Sequence, residues 1–278
     1  MRSGFLLLSA AASLFVAAPV GAAPISDNFE GYSLGAFPSP TWSDVGAVHN
    51  FGQILPSATV VSTTDAFGNT TQAVAIRDQV TSSRGIYAPT NIGRFYSLAA
   101  DLRVDQYATG AQFTTSDWAM QLTFAHNGIA SYNGTPQAGI YASSLTQGWR
   151  LFLIGELGLS ADIDLGVAAN VGIWYRLTFD ADALTGNFHT RITDVLSGTQ
   201  LLDNTQAIAG WTPGEANWDS IAFFGAELTG ATSNQAVVDN VNISSSVPEP
   251  DTLFLFGAAG LALGWSRRKR PWNELRAP

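Results

Sequence analysis

Apolar and polar residues alternate with a period of two through the middle of the chain. Within 94–105, 117–126 and 172–180, every second position is apolar over most of the segment. Residues two apart on a strand point to the same side, so this period predicts half-buried strands of antiparallel sheets. The positions predicted to face the core are Tyr96, Leu98, Ala100, Leu102, Val104, Trp118, Met120, Leu122, Phe124, Ile173, Tyr175, Leu177 and Phe179.

Three further segments, 149–156, 220–228 and 235–244, are rich in apolar residues and predict additional strands. Stretches of Gly, Asn, Asp, Ser and Thr separate the predicted strands, as in 126–139, and these residue types favour turns. Between the two chain ends, no long segment has a helical period. The pattern therefore predicts an all-β domain in which two antiparallel sheets pack as a sandwich.

The N-terminal end departs from this pattern. Arg2 is followed by an apolar run at 5–18 and by small residues at 19–24. This is the order of the charged, apolar and cleavage regions of a secretory signal peptide; the alternative is a buried N-terminal helix. We expect signal peptidase to remove residues 1–22 as a signal helix by cleaving after Ala22.

The C-terminal end has a second apolar run, at 252–265, which contains 14 residues without a charge. As a helix this run spans about 21 Å, which is short for a hydrocarbon core of about 30 Å. Pro248 and Pro250 precede it and would end any helix coming from the domain. The pattern predicts a thin transmembrane helix, and the alternative is a buried core helix. A basic cluster that favours the cytoplasmic side of a membrane follows: Arg267, Arg268, Lys269 and Arg270.

The order of these features gives residues 247–270 a resemblance to the PEP-CTERM sorting signal of bacterial exported proteins. Pro248, Glu249 and Pro250 match the motif that names the signal. The resemblance implies cleavage by an exosortase, a membrane cysteine protease, in a Gram-negative bacterium that makes exopolysaccharide. The implied route is transient anchoring in the inner membrane, then transfer to the cell surface, outer envelope or extracellular matrix. Residues 271–278 form a short tail after the signal.

The domain between the two signals, residues 23–246, is strongly acidic. It contains 19 acidic residues, seven arginines and no lysine, so its net charge is near −12. Nucleic acid is bound through clustered Lys and Arg, so this composition argues against it as a partner. The chain has no cysteine, which excludes a catalytic thiol and cysteine zinc sites. His49, His126 and His189 lie far apart without an HExxH motif, which disfavours a zinc enzyme.

Three segments give the domain a resemblance to concanavalin A-like lectin and glucanase sandwiches. Residues 174–194 contain a strand that begins with Trp-Tyr, an acidic turn with Gly, and a returning strand, like the central hairpin of that fold. Residues 27–35 and 237–244 resemble its paired first and last strands. The resemblance implies a jelly roll of the concanavalin A type, with the first and last strands as neighbours.

A structural calcium ion is the one cofactor that this resemblance implies. Related carbohydrate-binding jelly rolls hold calcium between the first and last strands, and the matching residues here are Asp27, Glu30 and Asp239. Calcium takes six to eight oxygen ligands, which carboxylates and backbone carbonyls supply. The alternative is that Asp27 and Asp239 are surface carboxylates near strand ends. No DxDxDG loop supports the site independently.

Catalytic carboxylates are not recognisable in the sequence. Glycanases on this sandwich carry an E-x-D-x-E strand, whose alternation puts a nucleophile and an acid/base on one face. No glutamate of the domain lies in such a motif, and no catalytic residue is predicted. The acidic pairs Asp162/Asp164 and Asp180/Asp182 lie beside predicted turns, and we interpret them as solvated turn residues.

A sugar site needs an exposed aromatic platform with polar neighbours, and Trp174 with Arg176 fits this description on the polar side of 172–180. The alternative places Trp174 in a core, because large aromatic residues are mostly buried. The predicted function is a non-enzymatic envelope or extracellular-matrix protein, processed by an exosortase and associated with exopolysaccharide. A secreted lectin-like module that binds polysaccharide is the alternative, and a glycan hydrolase or lyase with an unfamiliar site is a third reading.

Overall fold

The computed structural model describes residues 24–45, 58–77, 82–89, 95–109, 118–125, 137–154, 160–182, 185–207, 220–227 and 232–246. The regular elements of these ranges are fifteen strands: β1 (Ile25–Asp27), β2 (Ser43–Asp44), β3 (Ala58–Thr64), β4 (Thr70–Arg77), β5 (Ser82–Pro89), β6 (Phe95–Gln106), β7 (Trp118–Ala125), β8 (Gln137–Ser143), β9 (Gly148–Ile154), β10 (Ser160–Ala168), β11 (Trp174–Asp182), β12 (Asn187–Asp194), β13 (Gln200–Ala207), β14 (Ser220–Glu227) and β15 (Gln235–Ser246).

The strands form two sheets that pack face to face. The eight-stranded sheet has the order β13-β12-β11-β6-β15-β4-β3, with β1 pairing beside β15, and the seven-stranded sheet has the order β10-β9-β8-β7-β14-β5-β2. Every strand pair in the described ranges is antiparallel. The prediction of an all-β, two-sheet antiparallel sandwich is confirmed.

The first strand pairs with the last, but it is shorter than the predicted segment 27–35. β1 runs along residues 241–243 of β15 and ends at Asp27. The Asp27 carboxylate accepts a hydrogen bond of 2.8 Å from the main-chain nitrogen of Phe29, which has a φ of 57°. This side-chain-to-backbone bond closes a turn that ends the strand. The prediction of a strand over 27–35 is therefore wrong beyond Asp27.

The space between the sheets holds one continuous apolar core. Phe179 of β11 stacks on Phe188 of β12, with ring centroids 5.5 Å apart. The alternation predicted for 94–105 is confirmed, and the buried core positions include Tyr96, Leu98, Ala100, Leu102, Val104, Met120, Leu122, Tyr175, Leu177 and Phe179. The side chains of Trp118 and Phe124 lie outside the part of the chain that is described.

Two predicted burial patterns need correction. Ile173 is 37% exposed and precedes β11, because Gly172 turns the chain there with a φ of 80°. On β7, Gln121 and Thr123 were expected on a half-exposed side but are fully buried. Because Met120 and Leu122 are also buried, β7 is buried on both of its faces.

No helix within the described ranges is long and apolar enough to cross a membrane. The signal helix expected at residues 1–22 and the transmembrane helix expected at 252–265 both lie outside these ranges, as do the sorting motif at 248–250 and the basic cluster at 267–270.

Candidate functional site on the outer face of the eight-stranded sheet

A ladder of polar side chains follows β11 and β12 on the outer face of the eight-stranded sheet. Tyr175, Leu177 and Phe179 point into the core, so the residues between them point outward. The strand register sets each outward residue of β11 beside an outward residue of β12. These cross-strand pairs are Arg176 with Thr193, Thr178 with Arg191, Asp180 with His189, and Asp182 with Asn187.

At one end of the ladder, a cleft of about 180 Å³ contains a bidentate ion pair. Arg176 donates to both oxygens of Asp101, from Nε at 2.5 Å and from Nη2 at 2.7 Å. The side-chain amide of Asn240 donates a third bond to Asp101 at 2.9 Å. The hydrogen bonds to Asp101 raise the pKa of the Arg176 guanidinium. Parallel charge-assisted bonds of this kind fix the orientation of both partners.

Asp239 lies directly opposite Asp101 in the register of β15 and β6, yet it makes no ion pair with a cation of the described chain. Its side chain is 3% exposed. The Asp239 carboxyl group accepts one hydrogen bond of 2.7 Å from the main-chain nitrogen of Asn240 and a longer one of 3.3 Å from the Thr71 hydroxyl. Burial, helped by repulsion from Asp101 and Glu30, raises the pKa of Asp239 to about 6. A buried carboxyl group with a raised pKa inside a cleft is a physical sign of a functional site.

A β-bulge in β15 positions both carboxylates. The register with β6 shifts between Asp239 and Asn242, and Asn240 has a φ of 48°. This left-handed conformation is uncommon outside glycine, although Asn adopts it more readily than most residues. The bulge lets the main chain of Asn240 bond Asp239 while its side chain bonds Asp101. Bulges often re-aim side chains next to functional sites.

The turn between β3 and β4 places an aromatic side chain at the rim of the same cleft. Phe67 is 65% exposed and lines the cleft together with Asp65. The Asp65 carboxylate accepts bonds of 2.8 Å from the main-chain nitrogens of Phe67 and Asn69. Trp174 supports the turn from the sheet, since its indole nitrogen donates to the carbonyl of Thr64 at 2.9 Å. These bonds hold the main chain of the turn, so Phe67 is presented from a fixed backbone.

A second cleft, of about 370 Å³, lies at the opposite end of the ladder. Asp180 accepts bonds from Ser97 Oγ at 2.5 Å and from Arg191 Nη2 at 2.8 Å. His189 Nε2 lies 2.6 Å from Asp203 Oδ1, and this hydrogen bond lowers the pKa of Asp203. The cleft is crossed by a row of polar residues from five adjacent strands: Thr205, His189, Asp180, Ser97 and Ser244.

A third cleft, of about 360 Å³, connects the two ends. It shares Arg176 and Val195 with the first cleft. Its other arginine, Arg191, is bonded to Asp180 of the second cleft. The three clefts therefore follow one another along the outer face, and we name this row of clefts the β11–β12 groove.

The structure brings together two of the three carboxylates expected to bind calcium. The Thr71 hydroxyl lies 2.8 Å from Glu30 Oε1 and 3.3 Å from Asp239 Oδ2. Asp27 is engaged elsewhere, since its Oδ2 accepts a bond of 2.8 Å from Trp42 Nε1. Within the described residues, no three His, Asp or Glu side chains are arranged to hold a metal ion. Calcium bound by Asp27, Glu30 and Asp239 stays a prediction, in which Glu30 and Asp239 share a contact with Thr71 and Asp27 bonds Trp42.

Trp174 lies in the groove but does not have the predicted exposure. The residue is 6% exposed and packs with Ala73 and Val237 in a small apolar cluster on the outer face. The guanidinium carbon of Arg103 lies 4.8 Å from the centroid of its ring. Trp174 therefore does not provide the open stacking platform that was expected. Arg176 is 46% exposed at its side chain, and its contact with a glycan stays a prediction.

The four aspartates of the acidic pairs lie in strands, so their interpretation as turn residues is wrong for Asp162 and Asp180. Asp164 and Asp182 also accept local hydrogen bonds from residues that shortly follow them in the chain, as that interpretation expected. Asp162 and Asp164 lie in β10, and both accept bonds from Arg150 of β9, at 2.7 and 3.2 Å. Asp180 and Asp182 belong to β11. Antiparallel pairing brought an arginine from a neighbouring strand to each pair, which spacing along the chain does not reveal.

Sequence reasoning did not identify Phe67, Asp101 or Arg191 as site residues. Asp101 and Arg191 reach the groove through pairing between β6, β11 and β12, and a single sequence does not specify this pairing. Phe67 had a local signal, because it lies in "DAFGN" among turn-forming residues. An aromatic residue at the tip of a tight turn has little protein to pack against.

Comparison with known families identifies the C-terminal segment. Residues 246–269 match the model of the PEP-CTERM protein-sorting motif. This confirms the resemblance seen in the sequence, and the match begins at the last residue of β15. The motif indicates an exported protein that passes by way of a membrane, and it implies processing by an exosortase. No curated protein matches the sequence.

Solved lectin structures share the architecture of the sandwich. Arcelin-5, a lectin-like defense protein from Phaseolus vulgaris, aligns with a TM-score of 0.50 at 8% identity, over 80% of this chain and 97% of its own. The structure of peanut lectin with a 9mer peptide aligns with a TM-score of 0.49 at 10% identity, over 80% of this chain and 98% of its own. Lectin I of Ulex europaeus, in complex with the methyl glycoside of α-L-fucose, aligns with a TM-score of 0.48 at 9% identity, over 81% of this chain and 98% of its own. The likeness to arcelin-5 shows a lectin-like β-sandwich and concerns the fold alone.

Proposed function

We propose that the chain is a non-enzymatic protein of the outer envelope or extracellular matrix of a Gram-negative bacterium, released by an exosortase and associated with exopolysaccharide. The observation that carries the proposal is the match of residues 246–269 to the sorting motif. The family resemblance connects such signals with bacteria that make exopolysaccharide. A lectin-like sandwich is a suitable partner for that polymer, because this architecture carries sugar sites in other proteins.

The position of the motif supports release of an intact domain. β15 ends at Ser246, and Pro248 to Pro250 follow after one residue. β15 is a central strand that pairs with β6 from Gln235 to Ser246, apart from the bulge at Asn240. Cleavage near the motif therefore removes the apolar segment at 252–265 without shortening a strand of the sheet. The domain over residues 23–246 leaves the membrane with its core complete.

The partners of the groove carboxylates support binding over turnover. Sugar hydrolysis needs one protonated carboxyl group and one free carboxylate on opposite sides of the bond to be cleaved. Asp101 and Asp180 are each bonded to an arginine, which fixes their orientation and occupies oxygens that a catalytic acid or nucleophile would need. The second candidate, a glycan hydrolase or lyase, is favoured by one observation, the burial that raises the pKa of Asp239 to about 6.

Expression in paired hosts, with and without an exosortase, tests the proposal. With the protease, the protein in the medium should begin at Ala23 and lack residues 252–278 by intact mass spectrometry. Without it, the protein should stay in the membrane fraction. Peptides from 253–266 in the released material would contradict the proposed sorting. Release of reducing sugar ends from polysaccharide between pH 5 and 7 would contradict the non-enzymatic role and favour the second candidate.

A further inference from the structure

We propose that the β11–β12 groove binds a single extended chain of a neutral polysaccharide. This inference rests on the proposed association with exopolysaccharide and adds to it the site and the chemical class of the polymer. The groove differs from the Trp174 platform expected from the sequence, since the aromatic contact comes from the β3–β4 turn and the polar contacts come from several strands.

The length of the groove suits a polymer and not a single sugar. Its three clefts follow the outward residues of β11 from Trp174 to Asp182. At about 3.3 Å per strand residue, this distance is roughly 26 Å. The clefts adjoin each other through Arg176, Val195 and the bond between Arg191 and Asp180. Several consecutive sugar units therefore fit side by side along the strands.

The groove offers both hydrogen-bond donors and acceptors in fixed positions. Arg176 uses Nε and Nη2 on Asp101, which leaves Nη1 for a ligand, and its side chain is half exposed. Arg191 is 38% exposed and uses only Nη2 on Asp180 within the described structure. Asp180 and the side chain of Asn187 provide acceptors at the opposite end. A sugar hydroxyl donates and accepts at the same atom, so mixed groups of this kind match it.

The charge of the groove favours a neutral polymer over an acidic one. Two arginines line it, but Asp101 and Asp180 already offset them, and Asp65, Asp182 and Asp239 add further carboxyl groups. The whole domain has a net charge near −12. A uronate polymer would bring more negative charge to this surface, where like charges repel over the Debye length of about 8–10 Å. A chain of uncharged hexose units meets no such repulsion.

Phe67 supplies an apolar face at the end of the polar ladder. Its ring is mostly exposed beside Arg176 at the cleft, and the hydrogen bond that its main-chain nitrogen donates to Asp65 fixes its backbone. The C–H face of a sugar ring is apolar, and a flat aromatic ring covers it well. An anchor that is fixed before binding loses little conformational entropy. The exposed ring at this position is therefore consistent with a contact to the polymer.

Affinity electrophoresis of the full chain, in a detergent without a sugar headgroup, tests the proposal. The gels contain dextran or laminarin as neutral polymers, or alginate as an acidic one. Arg191→Ala and Phe67→Ala remove groove contacts, and Arg150→Ala is the matched control on the seven-stranded sheet, where Arg150 bonds two aspartates. Each groove variant should weaken binding to a neutral polymer about tenfold, the value of one well-placed contact of 1.4 kcal/mol. Arg150→Ala should stay within about twofold.

The thermal unfolding midpoint of each variant separates lost binding from lost folding. Phe67→Leu stays apolar but lacks the flat ring, and it should weaken binding as much as Phe67→Ala does. If the parent protein binds a neutral polymer but the groove variants behave like Arg150→Ala, the proposed site is wrong while the association with polysaccharide stands. Retardation by alginate alone overturns the proposed ligand class. Retardation by none of the three polymers contradicts both proposals. Self-association in sedimentation that the groove variants abolish would assign this face to a second copy of the chain.

Discussion

The outer faces of the two sheets use similar charged groups in different ways. On the seven-stranded sheet, Arg150 of β9 donates to Asp162 and to Asp164 of β10, so one cation serves both carboxylates. Both aspartates are partly exposed to solvent, with side chains 33% and 57% accessible. Water and the arginine together solvate these carboxylates, and the cluster resembles an ordinary surface ion pair.

On the eight-stranded sheet, one arginine again faces two aspartates, but it bonds only one of them. Arg176 gives both of its hydrogen bonds to Asp101. Among the described residues Asp239 has no ion-pair contact, and the charge of Arg176 acts on it only from a longer distance. Both carboxylates are buried. The number of charges alone therefore does not identify a site. The informative feature is a buried carboxyl group that has no direct ion pair within the described residues, because burying such a group costs stability.

The largest effect should come from removing the buried aspartate that Arg176 bonds, compared with an exposed aspartate that Arg150 bonds. Asp101→Ala leaves Arg176 and the Asn240 amide without their acceptor, and we expect a loss of about 2–4 kcal/mol in the free energy of unfolding. This loss is smaller than the loss expected when a fully buried ion pair is broken, because the Arg176 side chain is half exposed. Asp164→Ala, at the more exposed partner of Arg150, should cost no more than about 1 kcal/mol. Urea unfolding of both variants measures the difference, and equal losses would remove the contrast between the faces.

Calcium should act on one face only, if it binds between Glu30 and Asp239. Binding to the folded state alone stabilises by about 2.7 kcal/mol when free calcium exceeds its dissociation constant a hundredfold. For a domain of this size, that corresponds to roughly 5–10 °C in melting temperature. The measurement is a thermal melt in chelator and in millimolar calcium. Asp239→Asn should abolish the shift, whereas Asp164→Asn should retain it. A wild-type melt that calcium does not change would exclude the ion.

The smallest effect should be a pH-dependent gain in stability from Asp239→Asn, measured in chelator. The pKa of Asp239 is about 6 in the folded protein and near 3.9 in an unfolded chain. Protonation therefore stabilises the folded state fully below about pH 4, and this stabilisation is lost as the pH rises through about 6. The variant should match wild type near pH 4 and exceed it by about 1–3 kcal/mol above pH 7, at 1.36 kcal/mol per pKa unit.

Asp164→Asn is the control for this pH experiment, because Arg150 already compensates that carboxylate. It should show no gain in stability at any pH between 4 and 8. If Asp239→Asn instead loses stability at pH 8, then Asp239 is held ionised by a partner, and the contrast between the two outer faces is wrong.

The sequence was sufficient for the sheet architecture because core alternation is a local signal. Leu98, Leu102 and Phe179 follow the period of two, and all three are buried in the predicted manner. Trp174 shows the limit of this signal. The alternation placed it on the outward side correctly, but the β3–β4 turn covers it there. Coverage by a segment more than a hundred residues away is a tertiary property that periodicity does not contain.

The candidate site was less predictable for the same reason. Glu30 and Asp239 were found through a family resemblance, and the structure places both beside Thr71. Asp101 and Arg191 were not predicted, because their partners lie beside them only after strands from distant segments have paired. Polar residues on the outward side of a strand look alike in sequence, whether they are solvated or form a groove. Only the order of strands in the sheet distinguishes these cases.

Carboxyl footprinting in the presence of laminarin tests most directly the claim that polysaccharide binds the outer face of the eight-stranded sheet. Exposed aspartates are labelled with a carbodiimide and an amine, with and without the polymer, and the modified peptides are quantified by mass spectrometry. We expect reduced labelling at Asp180 and Asp182 in the β11–β12 groove and unchanged labelling at Asp162 and Asp164. Protection of Asp162 and Asp164 with unchanged labelling in the groove would contradict this claim.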